Sequence, residues 1–419
     1  MNQQLLVYHR ERLVGIVELE DYYRYSFTYT PEWLQRPDRF SIGHTLPLQQ
    51  EAHRGYYVQN FFANLLPEGD MRTRIVSTLH IPDRDFALLE TLGRDCAGAL
   101  TIIPPGHTPP EGKGDYTPLT DDELRARLRV PIPIVNPNER WSLSLAGAQG
   151  KLALLRRGKK LFMPLNGAPS DCIVKMASPR FPDIVFNEYL CMKTAAAIGL
   201  PTAPVDLYDL RGLPLLIVER YDRKKEGNTI KRLHQEDFCQ LLGLSHENKY
   251  EFLGGPSLAQ CAAVLREVAS VPIRDIDLLF RWHTFNLLIG NMDAHAKNIS
   301  VLYNERNVQL SPFYDLVHTT IYPELRRDPA MMLNGSICPI DSISREAWLN
   351  TVTKAGLPAK RADRMGRALA TSLSNVLKNP EQIIPRGEAK HFDRLLTSLR
   401  AIVAKTAARL FGSSSKQTR

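Results

Sequence analysis

The chain has 419 residues, 43% of them hydrophobic and 23% charged, with a formal net charge of +8. This is the balance of an ordinary globular protein, long enough for two or three domains, and it excludes a disordered or fibrous chain. No apolar run reaches the ~18 residues that span a bilayer, and the first residues hold no signal-peptide core, so a soluble cytoplasmic protein with no membrane contact is expected.

Residues 1–103 alternate short strands, such as Leu5–Tyr8 and Leu13–Val17, with a helix-like stretch at Tyr57–Leu66. Seven of the eleven residues from Pro104 to Gly114 are Pro or Gly, a composition that argues for a linker, placed at 104–116. The N-terminal part is then a subdomain of its own. The six cysteines lie far apart, with no Cys-x-x-Cys pair, and read as reduced core residues.

After the linker the pattern is that of a small antiparallel sheet carrying one helix. Ser142–Leu145 alternates, Ala146, Gly147, Ala148, Gln149, Gly150 and Lys151 form a small polar loop, and strands resume at Leu152–Leu155 and Lys160–Met163. Glycines in such a loop let backbone N–H groups approach phosphates; a plain β-turn is the alternative. A Walker loop fails, because Leu145 stands where its first Gly belongs and Leu152 where Ser or Thr is required.

The apolar strand Cys172–Met176 is interrupted by Lys175, which either snorkels to the surface or meets a triphosphate as a point charge. A helix follows at Asn187–Ile198, with Glu188 in its first turn orienting Lys175 or complementing the helix dipole. Leu207–Leu210 and Leu215–Val218 make a hairpin that ends in Glu219, Arg220 and Tyr221. In a two-lobed kinase this connection holds adenine through its backbone. From about Leu233–Asp237 onward the sequence reads as largely helical.

The apolar helix Ile276–Ile289 delivers the chain to Asn291-Met-Asp-Ala-His-Ala-Lys-Asn298. Two short strands, Ile299–Tyr303 and Val308–Leu310, join through a turn, and Phe313-Tyr-Asp315 follows. Phosphoryl transfer needs a carboxylate at the acceptor hydroxyl, together with an amide and a second carboxylate on magnesium. Asp293, Asn298 and Asp315 supply that set. An acid five residues ahead of an amide also occurs in helix caps and turns, so the order helix, loop, hairpin and acid carries the reading. From Arg386 to Arg419, eight Lys or Arg less two acids leave +6, and Phe392, Leu395, Leu396, Leu399, Ile402 and Val403 recur at helical spacing. The basic outer face is either solvated or meets nucleic acid or an acidic partner.

Together, Ser144–Lys151, Val218–Asp222, His234–Asp237, Asn291–Asn298 and Pro312–Asp315 resemble the HipA family, the serine/threonine-kinase toxins of bacterial type II toxin–antitoxin modules. Phe61–Gly69 and Leu92–Gly98 are similar to that family's N-terminal subdomain. The resemblance implies an α+β, two-lobed protein-kinase-like fold. Its small, mainly β N-lobe would span 117–222 and its mainly helical C-lobe 223–419, with an additional N-terminal α+β subdomain at 1–103. It implies ATP and Mg2+ as cofactors, Asp293 as catalytic base, and Asn298 and Asp315 as metal ligands. Lys175 and the loop Ala146–Lys151 would hold phosphates, Glu219, Arg220 and Tyr221 would seat adenine, and His295, Ala296, Lys297 and Asn298 would touch the nucleotide.

The implied acceptor is an aminoacyl-tRNA synthetase, typically the glutamyl enzyme, whose phosphorylation halts translation and growth. The family also implies an inhibitory autophosphorylation at Ser144, with Ser142 as a second acceptor, because phosphate beside the loop repels nucleotide phosphates. The implied partner is a HipB-like helix-turn-helix antitoxin, through which operator DNA is mainly reached. One departure is Gly150, where the best-known relatives have Glu. A co-repressor with a vestigial kinase site and a small-molecule or lipid kinase are the rival readings.

Overall fold

The structure, a computed structural model, describes residues 3–20, 24–109, 114–129, 151–177, 180–227, 229–304 and 307–412. Ser142, Ser144 and the loop positions Ala146–Gly150 lie outside the described residues. The chain divides into two compact units. The first holds Met1–Ser178, Tyr208–His246 and Ser300–Arg306; the second holds Pro179–Leu207, Glu247–Ile299 and Asn307–Arg419.

The first unit opens with β1 (Gln3–His9), β2 (Arg12–Leu19), β3 (Tyr25–Tyr29), α1 (Pro31–Leu34), β4 (His53–Arg54), α2 (Tyr56–Ala63), α3 (Gly69–Leu79), α4 (Asp85–Leu92) and β5 (Leu100–Ile103). The strands form one sheet in the order β4-β3-β2-β1-β5. Strand alternation brings Leu5, Val7, Val17, Phe27 and Tyr29 into one core with Phe61 and Phe62 of α2 and Leu88, Leu89 and Leu92 of α4. An apolar stripe on each helix is what such a face buries.

Next come β6 (Asp115–Pro118), α5 (Asp121–Arg129), β7 (Lys151–Arg157), β8 (Lys160–Leu165), β9 (Cys172–Met176), α6 (Ile184–Ala197), β10 (Val205–Leu210) and β11 (Leu213–Glu219). The strands form a sheet in the order β10-β11-β9-β7-β8-β6. One face, carrying Leu152, Leu154, Cys172, Val174, Leu215 and Ile217, packs on Leu124 and Leu128 of α5. The period of two therefore puts Lys151, Lys175 and Leu216 on the opposite face.

The segment expected to begin a helical lobe is instead extended. It forms β12 (Arg223–Glu226), β13 (Thr229–Arg232) and β14 (His234–Asp237), with β12 paired to β13 and β14 to β15 (Ser300–Asn304). His234, Glu236 and Asp237 are buried on β14; the backbone pairing of a strand, with partners far along the chain, overrides a local helical reading. Asp237 closes the strand and begins α7 (Phe238–Leu241) with a capping box to Gln240.

The second unit is mainly helical. It contains α6, α8 (Leu258–Val268), α9 (Pro272–Ile289), the strand β16 (Asn307–Leu310), α10 (Arg345–Lys354), α11 (Ala359–Lys378) and α12 (Ala389–Phe411). Pro272 starts α9 at its first turn, and Leu279, Phe280, Trp282, Phe285 and Leu287–Ile289 are buried along it. On α12, Phe392, Leu395, Leu396, Leu399 and Val403 are buried as the spacing predicts, while Ile402 is half-buried. Helix α6 begins at Ile184, so Glu188 falls in its second turn and is buried. That removes the dipole role the sequence suggested for it, which needs the first turn. Among the described residues no helix is long and apolar enough to cross a membrane.

Candidate active site

Helix α9 stops at Gly290, whose φ of +69° is the left-handed conformation that ends helices cheaply only at glycine. A Cβ there would lie 2.4 Å from Thr320 Oγ1. The released carbonyl of Gly290 accepts from the Thr320 amide (3.1 Å) and the Thr319 hydroxyl (3.1 Å), and Thr319 Oγ1 in turn accepts from the Met292 amide (2.8 Å). Asn291 braces the exit: its amide reaches Asn286 O and its side chain Asn286 Oδ1, both at 2.8 Å.

The next residues are wired to each other. The Asp293 amide donates to Asn291 Oδ1 (3.1 Å), and the Asp293 carbonyl accepts from the His295 amide (2.8 Å) and Asn298 Nδ2 (2.9 Å). Within 291–300 every residue is buried except Asp293, whose side chain is 52% exposed. A rigid, dry loop thus presents one carboxylate to solvent. Asn298 turns its nitrogen to the loop, so its oxygen is the end left to act as a ligand. His295 Nε2 stands 4.0 Å from Asp293 Oδ1, beyond hydrogen-bond range.

Asp315 has φ +58°, a conformation that costs most residues of order 1 kcal/mol and that Asp tolerates better than most. Its neighbour Tyr314 donates its hydroxyl to Lys297 O (2.9 Å), which ties the Asp315 segment to the loop carrying Asn298. Asn298, Asp293 and Asp315 are therefore brought to one region of the second unit. Carboxylate and amide oxygens, kept few, match the hard ligands that magnesium takes beside water and phosphate oxygens.

In the first unit, Lys151 and Lys175 are direct register partners on β7 and β9, and Lys175 is opposite Leu216 of β11. The two cations thus stand side by side on the face of the sheet opposite the one that packs on α5. Glu219 ends β11 exposed, and the Tyr221 hydroxyl donates to Gln235 Oε1.

Arg220 is different. Its amide donates to Asp171 O, its carbonyl accepts from the Arg223 amide, and its guanidinium reaches Asp222, Ser170 and Cys96 O. It anchors the segment from inside, while Glu219 is exposed and Tyr221 half-buried.

That anchor belongs to a buried cluster the sequence did not reveal. Asp95, from the N-terminal region, pairs with Arg223 (2.6 Å) and Arg220 (3.4 Å), while Asp222 pairs with Arg220 (2.8 Å) and Arg223 (2.7 Å). Asp222 Oδ2 also accepts from the Gly98 amide at 2.7 Å. Burial opposes ionisation of Asp95 and Asp222, but the facing guanidinium groups outweigh it and hold both pKa values below the usual range. Burial, then Arg223, brings Arg232 down to about 10. Nearby, Glu236 is wholly buried; it accepts from the His44 amide (3.0 Å) and the Tyr303 hydroxyl, yet burial pushes its pKa up to about 8.

A second feature missing from the sequence reading is Tyr250, whose hydroxyl donates to Asp293 Oδ1 at 2.5 Å. It lies 43 residues upstream of its partner; the only local hint is an aromatic pair, Tyr250 and Phe252, just ahead of a Gly-Gly-Pro break.

Known proteins match over most of the chain. A family model described as the HipA-like C-terminal domain matches residues 143–377, and one described as the HipA N-terminal domain matches 5–103. The Sinorhizobium fredii protein named "Putative kinase Y4mE" is 35% identical over 394 residues, 91% of this chain and 94% of that protein. The Shewanella oneidensis serine/threonine-protein kinase toxin HipA is 31% identical over 379 residues, 84% of each chain. A solved structure of Shewanella oneidensis MR-1 HipA, HipB and operator DNA superposes with a TM-score of 0.84 at 25% identity, covering 98% of this chain and 100% of that one.

Proposed function

Because the chain belongs to the HipA family of serine/threonine-protein kinase toxins, we propose that it transfers the γ-phosphate of ATP to a protein hydroxyl with Asp293 as the catalytic base. The observation that carries this reading is the burial pattern of the loop: one exposed carboxylate on a backbone fixed by its own hydrogen bonds. A base acting on a macromolecular acceptor must reach solvent while holding its geometry.

In this reading Asp293 takes the proton of the acceptor hydroxyl as its oxygen attacks the γ-phosphorus, while the bond from that phosphorus to the β–γ bridging oxygen breaks and ADP leaves. Asn298 and Asp315 are the ligands of magnesium, which when bound neutralises charge on the phosphates. Lys175 and Lys151, with the loop from Ala146, hold the phosphate chain. Glu219 and Tyr221 border the adenine on a segment pinned by Arg220. His295, Ala296 and Lys297 form the floor under the nucleotide.

The acceptor is a serine of an aminoacyl-tRNA synthetase such as the glutamyl enzyme, so that translation and growth stop in the bacterial cytoplasm. Ser144, with Ser142 as a second acceptor, carries the inhibitory autophosphate. A HipB-like antitoxin is the partner, and operator DNA is met mainly through it. Support for the antitoxin comes from the similarity to the HipA of the HipA–HipB–DNA complex; support for the acceptor and the brake comes from the family motifs.

Induced expression without an antitoxin tests the whole reading. Wild type is expected to arrest growth and to raise phosphate on host proteins, whereas Asp293→Asn at equal abundance leaves growth and phosphoproteome unchanged. Equal arrest by both proteins would overturn the assignment.

A further inference from the structure

We propose that Tyr250 is a positioning residue for phosphoryl transfer: its hydroxyl fixes one carboxylate oxygen of Asp293 so that the other meets the acceptor. The proposal rests on Asp293 as the base. Its main chain is held on both sides, by Asn291 at the amide and by His295 and Asn298 at the carbonyl. The side chain, half open to water, keeps two torsions to set. The Tyr250 Oη to Asp293 Oδ1 bond sets them.

Tyr250 is itself aimed from several directions. Lys249 O accepts from the Ala296 amide (3.2 Å), which joins the tyrosine segment to the catalytic loop. On the other side, the Glu251 amide donates to Ala330 O (2.9 Å) and its carboxylate accepts from the Met332 amide (2.6 Å). The Tyr250 carbonyl closes the turn by accepting from the amides of Leu253 and Gly255, both at 2.9 Å. The ring meets His295 edge-on, with centroids 5.0 Å apart, and stacks on Phe252 at 5.2 Å.

A hydrogen bond this open to solvent contributes little to folding. Its effect falls on geometry. A general base must present a lone pair within about 2.6–3.2 Å of the proton it takes, and a misplacement of about 1 Å can cost on the order of 10²-fold in rate. With Oδ1 occupied by Tyr250, Oδ2 is left for the acceptor hydroxyl, and the attacking group meets a carboxylate already oriented.

The test uses the full chain with γ-labelled ATP, magnesium and desalted host-cell lysate as the acceptor mixture, reading initial label transfer against ATP concentration. Tyr250→Phe keeps the ring on His295 and Phe252 and removes only the hydroxyl. Its rate at saturating ATP is expected to fall roughly ten- to a hundredfold, with the KM for ATP within about twofold of wild type, and Tyr250→Ala is expected to be little worse. A Phe variant at the wild-type rate, with loss confined to Ala, assigns packing alone and overturns the proposal. So does a Phe variant whose loss lies in the KM for ATP. If wild type labels no more than Asp293→Asn, the kinase reading and this inference fall together; an active wild type beside an equally active Phe variant removes only the role of Tyr250.

Discussion

Two groups of charged side chains in this molecule are treated in opposite ways. Asp95, Arg220, Asp222 and Arg223 are withdrawn from water and paired with one another, whereas Asp293 is exposed on a loop that is otherwise buried. The first arrangement spends charge on geometry, since a buried ion cluster has few alternative packings. The second leaves a carboxylate open to solvent, as the proposed base requires. Removing a member should therefore damage folding in one region and chemistry in the other.

The largest effect on folding is expected at Asp95. Asp95→Ala leaves Arg220 and Arg223 buried with one carboxylate between them, and loss of one partner of a buried pair costs about 3–5 kcal/mol. Denaturant unfolding measures it; a change under about 1 kcal/mol would mean that the cluster tolerates an unpaired guanidinium and does not fix the Glu219–Tyr221 segment. Gly290→Ala comes next. It combines a left-handed backbone with a Cβ 2.4 Å from Thr320 Oγ1, and about 1–3 kcal/mol of destabilisation is expected from such strain. Because this glycine launches the loop that carries the proposed base Asp293, activity should fall further than stability does.

The pH dependence of unfolding separates the two regions again. Asp95 and Asp222 have folded pKa values below their unfolded value near 4. Their contribution is present above that pH and is lost as pH falls through the folded values. Acid should thus destabilise wild type more steeply than Asp95→Asn. Glu236 runs the other way. With its folded pKa raised to about 8, its contribution is full below the unfolded value near 4.3 and disappears as pH rises through about 8. Glu236→Gln is expected to flatten the loss of stability between about pH 5 and 8, the smallest of these effects; an unchanged slope would rule out this contribution of Glu236.

The sequence made some of this legible and hid the rest for physical reasons. Local patterns survived: the strand Cys172–Met176, the hairpin before Glu219, the helix running to Ile289 and the buried stripe of α12 all follow from periodicity and turn residues within one segment. What failed depended on partners far along the chain. His234–Asp237 is a strand because Ser300–Tyr303 pairs with it, and Arg220 is an anchor because Asp95, 125 residues away, faces it. Glu188 moved to the second turn through a helix start three residues earlier than the apolar pattern suggested. Motif order singles out Asp293, Asn298 and Asp315 as candidates, whereas the left-handed backbone of Asp315 and the Tyr250 contact have no local signature.

As the proposed base, the exposed carboxylate of Asp293 should work in chemistry and not in folding. The most direct test measures phosphate transfer at saturating ATP and the unfolding midpoint on the same preparations of wild type and Asp293→Asn. The expected result is a rate lower by roughly 10²–10⁴-fold, the usual contribution of a general base, with stability changed by no more than about 0.5 kcal/mol. A variant that transfers phosphate as fast as wild type, or one that loses activity only because it unfolds, would contradict it.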